Sequence, residues 1–407
     1  MTVATLAPEQ AEMGALARCA GDVDRFLVER WARRASVQRA ADADGFDDLL
    51  TLDDVDRYLT TTALRTPFFR LVQAGEQIPE SAYTRSGRAG SRDVAGIADP
   101  SAVASLFERG ATIVLQGLHR WSEPVMRFNR SLELELGHAC QANAYITPAG
   151  AQGLELHHDP HDVFVLQAFG RKRWEVHPAP REPDRSPLDV EVAPGDTIYM
   201  PAGTPHAASA QATVSGHLTV GVHVTRWGDV LAGAWGAAAA DPSLDSLDEP
   251  LPAGWLHDPA GLAGELRHRI REVTGRMLAA DAGELVAHRA DRFLSARAQL
   301  ARGSIAERAV PHEVDDFTVL MRRPGALCEI RWRDGSLVVL LGDRRLQLPA
   351  WLEPAMRRVA TREAFRLGEL DDVVPDAASR AVLARRLIRE GLLTAMAQAL
   401  DDASDRR

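Results

Sequence analysis

His157-His158-Asp159-Pro160-His161-Asp162-Val163-Phe164-Val165-Leu166-Gln167-Ala168-Phe169-Gly170-Arg171-Lys172-Arg173-Trp174 gathers three histidines and two acids ahead of an apolar run. It is answered by Pro194-Gly195-Asp196-Thr197-Ile198-Tyr199-Met200-Pro201-Ala202-Gly203-Thr204-Pro205-His206. Successive side chains of a strand point to opposite faces, so His157 and Asp159 share a side and His158 takes the other. His206 follows a Pro-Gly turn at a strand end, where a closed sheet can bring it to the same point from across a barrel. Two histidines and one carboxylate on one side of a metal leave its other positions open, the arrangement of non-haem Fe(II) oxygenases. Alternation also turns Lys172 away from the side that Arg171 and Arg173 share.

Outward from these segments, strand-like pieces recur at short intervals: 141–147, 154–159, 163–168, 173–177, 190–192, 197–200 and 216–224. Turns punctuate them at Thr147-Pro148-Ala149-Gly150, Phe169-Gly170, Pro194-Gly195-Asp196 and Pro201-Ala202-Gly203. Many short strands at this spacing predict an antiparallel sandwich or small barrel. Before them, residues 1–60 read as helical, with a capping pattern at Thr51-Leu52-Asp53-Asp54 and an apolar face of Leu52, Val55, Tyr58 and Leu59. Segments 67–73 and 112–116 are β-rich, the Gly-, Ser- and Arg-rich 80–95 reads as a surface loop, and Ser122 with Pro124 starts a helix.

After the strands the pattern changes again. Residues 229–257 are rich in Ala, Gly and Pro and read as a linker. Leu262, Leu266, Ile270, Val273 and Met277 then mark an amphipathic helix, and a second follows through Leu285 to Leu300. Two helices cannot enclose a core alone, so 258–305 is expected to pack on the barrel or form a dimerisation segment. Residues 308–407 combine a hairpin around Gly342-Asp343 with helices near 350–360, 363–370 and 377–391, a small α+β domain of winged-helix type. The division is therefore 1–95 helical lead and first strands, 96–228 catalytic core, 229–257 linker, 258–305 helical dimerisation segment, and 308–407 winged-helix-like domain.

Composition narrows the classes. The chain has 407 residues, 45% hydrophobic and 26% charged, with a net charge of −10, which is ordinary for a globular protein and excludes pervasive disorder. The acidic balance disfavours a dedicated nucleic-acid binder. Residues 308–407 hold 17 basic and 16 acidic side chains, leaving no surplus to grip DNA. Cys19, Cys140 and Cys328 are too few and too scattered for a disulfide framework or a cysteine zinc site. No run has the apolar length of a membrane span, and the start lacks the pattern of a signal peptide, so the expected location is cytoplasmic. Lys172 is the sole lysine among 47 basic residues.

A bare His-x-Asp occurs by chance in many chains, but here the surroundings agree with it. Asn143-Ala-Tyr145-Ile-Thr-Pro leading to Gln152-Gly153, the His-x-Asp, Gly170-Arg-Lys-x-Trp174, and the Pro-Gly-Asp strand running into Pro-x-Gly-x-x-His match in order and spacing. In these features, and in its flanking layout, the chain resembles the JmjC-type cupin oxygenases, most closely their ribosomal oxygenase branch. The resemblance implies a mainly β double-stranded β-helix (cupin/JmjC) core with a helical dimerisation segment and a C-terminal winged-helix-like α+β domain. It further implies that His157, Asp159 and His206 are catalytic and bind Fe(II), and that Lys172 pairs with the distal carboxylate of 2-oxoglutarate. Asn143 and Tyr145 match positions lining the site near co-substrate and substrate. A ketoacid bound to iron by one end leaves its other carboxylate pointing into the barrel, where a buried cation must meet it.

The implied function is an Fe(II)-, 2-oxoglutarate- and O₂-dependent protein hydroxylase. A side chain of a ribosomal protein is the foremost substrate, with another protein or a peptide natural product as the alternative. Expected partners are that substrate and a second copy in a homodimer, with no membrane and no specific DNA. From other classes there remain a non-redox metal-binding cupin, which needs the triad but no co-substrate cation, and a ligand-sensing regulator. His158 and His161 are expected off the ligand face, with His161 at the entrance. His217 is expected to be a satisfied barrel histidine, Glu175 and His177 structural, and Cys140 a core thiol. Gly221 stands where some relatives carry a small polar residue.

Overall fold

The computed structural model describes residues 14–40, 45–151, 155–178, 186–210, 212–300, 304–309, 313–333 and 335–396. The chain divides into two compact units, Met1–Val224 and Thr225–Arg407.

In the first unit the strands are β1 (Ser36–Gln38), β2 (Phe69–Gln73), β3 (Glu76–Gln77), β4 (Thr84–Ala89), β5 (Arg92–Ala98), β6 (Thr112–Leu115) and β7 (Ala139–Thr147). They continue as β8 (Asp162–Phe169), β9 (Lys172–Val176), β10 (Leu188–Val192), β11 (Thr197–Met200), β12 (His206–Ala210) and β13 (Ser215–His223). Its helices are α1 (Ala15–Ala20), α2 (Val23–Glu29), α3 (Leu52–Thr61), α4 (Pro100–Glu108) and α5 (Glu123–Leu136). An eight-stranded sheet runs β1-β11-β8-β13-β7-β6-β2-β3, and a three-stranded sheet runs β10-β9-β12, all pairs antiparallel.

Strand alternation sorts the core into two layers. Phe164, Leu166, Tyr199, Leu218 and Val220 point to one face of the large sheet, where they pack with Leu16, Phe26, Val55, Phe128 and Leu132 of the helices. Val163, Val165, Ile198 and Met200 point to the other and meet Trp174, Val176, Val190 and Val192 of the small sheet. This second, inner layer is where the two sheets of the expected double-stranded β-helix face each other. Local chemistry fixes the lead-in helices. Thr51 Oγ1 accepts the Asp54 N–H at 3.1 Å while the Asp54 carboxylate accepts the Thr51 N–H at 3.0 Å, a reciprocal cap on α3. Gly137, at φ 70°, ends α5 in the left-handed conformation.

Several expectations are corrected. Residues 80–95 are not one loop: β4 and β5 form an exposed two-stranded hairpin turning at Gly90. A hairpin solvated on both faces shows no apolar alternation to read. Of the strand expected over 154–159, residue 154 lies outside the described residues, and so does the Gln152-Gly153 motif. The rest makes only an isolated bridge between His157 and His206. Strand β12, whose His-Ala-Ala-Ser-Ala is poor in β-formers, was not foreseen as a strand.

The second unit begins with α6 (Trp227–Ala239), where a linker was expected. Alanine's helix propensity outweighs the glycines, and the Asp229 carboxylate accepts the Arg226 N–H at 2.7 Å to cap it. Helices α7 (Ala263–Ala279) and α8 (Ala282–Ser295) follow, then α9 (Ser304–Ala309). Beyond them β14 (Val319–Arg322), β15 (Glu329–Arg333), β16 (Ser336–Leu340), β17 (Arg345–Leu348), β18 (Ala364–Arg366) and β19 (Leu393–Ala395) form two three-stranded sheets, β18-β14-β19 and β15-β16-β17. With α10 (Glu353–Thr361) and α11 (Ala377–Arg389) they close one core around Leu320, Leu337, Met356, Val359, Leu383 and Leu387. The helix expected over 363–370 is β18 followed by a single 3₁₀ turn, since Phe365 is drawn into the sheet opposite Leu320.

Candidate active site

Between the two sheets lies a cavity of about 50 Å³ lined by Tyr145, Thr147, His157, Asp159, Lys172, Trp174, His206 and His217 among others. That holds about four waters, the scale of a small organic acid.

One end of this cavity is a potential metal site. The backbones of His157 and His206 exchange both hydrogen bonds, His206 N to His157 O at 2.8 Å and His157 N to His206 O at 3.1 Å. This sets the rings side by side, centroids 4.4 Å apart. Asp159 follows two residues on, its Oδ2 3.8 Å from His206 Nε2, and the backbone O of Asp159 accepts the Gly203 N–H at 2.8 Å, fastening the Pro-x-Gly turn. One ligand atom from each of His157, Asp159 and His206 lies within 4.8 Å of the others. Both rings are poled for a metal: His157 Nδ1 donates to Glu155 O at 2.7 Å and His206 Nδ1 to Thr204 O at 3.0 Å. A carbonyl only accepts, so each Nδ1 carries the proton and each Nε2 keeps its lone pair free. Burial holds the His206 pKa below its ordinary value, which keeps that lone pair unprotonated. These residues fit a divalent cation with open positions.

Toward the other end stands Lys172. Its register partner on β12 is Ala210, while His206 pairs with Val176, so about 13 Å of strand, four residues at roughly 3.3 Å each, separates lysine and histidine backbones. Lys172 is 2% exposed, whereas Arg171 and Arg173 lie outside, paired with Glu191 and Asp189. Its ammonium donates to Thr147 Oγ1 at 3.0 Å, and Thr147 shares a 3.2 Å hydrogen bond with Thr112. Burial pushes the Lys172 pKa down to about 7. A buried cation with a neutral partner is costly and fits an anionic ligand.

Tyr145 lines the cavity, stacked on His217 with centroids 5.2 Å apart and planes 8° from parallel, and burial raises its pKa. Asn143 is not among the lining residues; its Oδ1 accepts the Gly117 N–H at 2.9 Å and so holds the start of the 118–120 turn. His158 is exposed, as alternation requires. His161 packs against His223 and Gln141 on the cavity side of the large sheet. Gly221 faces that ring: a Cβ there would lie 2.9 Å from His161 Nε2, so a side chain at 221 would meet the imidazole. Cys140 is buried, and Glu175 pairs with His177 on the outside at 2.9 Å.

Two cavity-lining positions have no role in the sequence reading. Thr147 reads as the end of strand 141–147 and the start of a turn, and it lies two residues beyond Tyr145 and so on the same face. His217 is not a satisfied histidine: its Nδ1 is sealed from solvent and makes no hydrogen bond among the described residues.

The family model described as JmjC domain matches residues 119–230, which span the triad, Lys172, the whole small sheet and the strands β7, β8, β11 and β13 of the large one. Residues 119–230 are thus similar to a JmjC domain. Ribosomal oxygenase 1 of Rattus norvegicus is 31% identical over 227 residues, 51% of this chain and 36% of that protein. The bifunctional lysine-specific demethylase and histidyl-hydroxylase NO66 of Branchiostoma floridae is 28% identical over 244 residues, 59% of this chain and 38% of that protein. The chain thus spans 36% to 38% of the length of these two relatives. Among solved structures, the ribosomal oxygenase YcfD of Escherichia coli in complex with cobalt and 2-oxoglutarate superposes with a TM-score of 0.55 at 18% identity, covering 93% of this chain and 99% of that one. The JmjC domain and the flanking elements therefore share a fold with it.

Proposed function

We propose that this protein is an Fe(II)- and 2-oxoglutarate-dependent protein hydroxylase whose metal ligands are His157, Asp159 and His206. The observation that carries the reading is the pairing, across one cavity of the JmjC domain, of a two-histidine, one-carboxylate cluster with a buried lysine that has no anionic partner among the described residues. A non-redox cupin needs the first and has no use for the second. Bound iron would activate O₂ for coupled decarboxylation of 2-oxoglutarate and hydroxylation of a C–H bond. In that reaction Glu155 O and Thr204 O hold the ligand imidazoles in one tautomer, and Lys172 with Thr147 fixes the tail of the co-substrate. The inner layer of Val163, Val165 and Trp174 keeps bulk water from the reacting atoms.

The solved ribosomal oxygenase contains 2-oxoglutarate and the curated relatives bear ribosomal oxygenase and histidyl-hydroxylase names, which supports a ribosomal protein side chain as the substrate here. A mass search for a one-oxygen gain on ribosomal proteins, comparing wild-type with gene-deleted cells, tests this. Identical ribosomal peptides in the two would remove that substrate, while loss of 2-oxoglutarate turnover in His157→Ala would still support the oxygenase.

A homodimer through α6 to α8 belongs to the same proposal. Trp227, Leu231 and Trp235, at i, i+4 and i+8 of α6, are exposed, Trp227 to 77%, and on α7 Leu266 is exposed to 60% with Ile270 beside it. Apolar stripes of this kind mark an interface. Among the described residues, no helix is long and apolar enough to cross a membrane.

A further inference from the structure

His217 is 3% exposed, held flat against Tyr145 and edge-on to Trp174 at a centroid distance of 5.2 Å, planes 77° apart. The ring makes one stacked and one edge-to-face contact, and Nδ1 is sealed and meets no partner among the described residues. The ring lines the same cavity as Lys172 and His206. Trp174, also a lining residue, leaves its buried indole Nε1–H unpaired, and the Lys172 ammonium uses one of its three donors on Thr147. Burial, then the charge of Lys172, holds His217 neutral, so one of its two ring nitrogens carries a proton.

At the Lys172 end the cavity therefore offers donors, the remaining N–H groups of the ammonium and the ring N–H of His217, and among the described residues no carboxylate pairs with the ammonium. Leaving such groups unmatched is costly. A ligand that supplies acceptors and no donors relieves both, and a dicarboxylate oxoacid is that class of molecule. We infer that His217, whose Nδ1 is sealed but whose ring lines the cavity, is a further co-substrate-binding residue, donating through Nε2–H to the carboxylate that Lys172 meets. The inference rests on the 2-oxoglutarate reading above and adds a residue to it.

The test uses the full chain loaded with Zn(II), which turns nothing over, and 2-oxoglutarate as the probe. The expected results are that the His217 Nε2–H resonance appears or moves downfield on adding 2-oxoglutarate, and that His217→Phe, which keeps the stacking, binds it at least about tenfold more weakly. His217→Asn, which restores a donor, recovers most of the loss, and Zn(II) affinity is unchanged in both. An unmoved His217 resonance, with His217→Phe binding within twofold of wild type, overturns the inference and leaves the co-substrate reading standing. If the Phe variant does not fold, the wild-type resonance decides alone. Failure of the wild-type Zn(II) protein to bind 2-oxoglutarate at all overturns both.

Discussion

Lys172 Nζ donates to Thr147 Oγ1 at 3.0 Å, and among the described residues no carboxylate pairs with it. Among the described lining residues it is the only lysine or arginine, so the cation leans on a hydroxyl and its charge is tied to whatever anion enters.

A pH dependence follows. Burial lowers the Lys172 pKa from 10.5 to about 7, so between those values the unfolded chain holds more protons than the folded one. Stability of the ligand-free protein should rise with pH across that window. Binding of the anion runs the other way: the complex needs the ammonium, so above about pH 7 each bound 2-oxoglutarate takes up close to one proton and affinity falls about tenfold per pH unit. Calorimetry on Zn(II)-loaded protein in buffers of different ionisation enthalpy measures that uptake. Lys172→Ala should weaken binding far more than it disturbs metal affinity or folding; unchanged affinity in that variant would remove the lysine from the site.

The proposed metal ligands make a separable prediction. His157→Ala or His206→Ala removes one nitrogen of the cluster and should lower Co(II) affinity by at least about a hundredfold, more than the loss typical of outer-sphere partners. Far-UV circular dichroism should be unchanged, and chelation of the wild-type metal should reversibly abolish turnover. Visible absorption of the cobalt protein reads the coordination directly. Wild-type spectra in both variants would mean that the ion sits elsewhere.

How much of this was legible in the sequence varies with the kind of physics involved. The strands of the inner layer could be read because they are half-buried and alternate: Lys172, Trp174 and Val176 face in while Arg173 and Glu175 face out. The triad could be read because chain spacing puts His157 and Asp159 on one side and a turn carries His206 back. What could not be read depends on partners distant in sequence. Thr147 matters because Lys172 reaches it, and His217 because Tyr145 and Trp174 clamp it without satisfying it. Neither fact has a local pattern. The hairpin β4–β5 and helix α6 failed for composition reasons, since small residues suit loops, turns and helices alike.

Gly170 joins the inner layer to Lys172 and allows no side chain. It sits at φ 67° between β8 and β9, and a Cβ there would lie 2.0 Å from the backbone O of Val214. Gly150 has nearly the same backbone, φ 69°, but open space where its Cβ would go. Gly150→Ala should therefore cost only the left-handed strain, about 1–2 kcal/mol, whereas Gly170→Ala adds a backbone collision and should lose clearly more, with 2-oxoglutarate binding falling in step. Chemical denaturation of the two variants side by side checks this; equal losses would show that the β8–β9 turn gives way freely.

The exposed stripes on α6 and α7 predict the oligomeric state. At micromolar concentration the 44.3 kDa chain should scatter light as two copies. Leu266 and Ile270 lie one turn apart and outward on α7, so Leu266→Glu with Ile270→Glu places two charges in any interface built on that face. A desolvated, unpaired carboxylate costs several kcal/mol, enough to shift a micromolar dimer to monomer. Val273, fully buried on the same helix, is left intact, so the unit should still fold and melt near the wild-type temperature. A wild-type monomer, or a dimer that both charges leave untouched, would remove α7 from the interface.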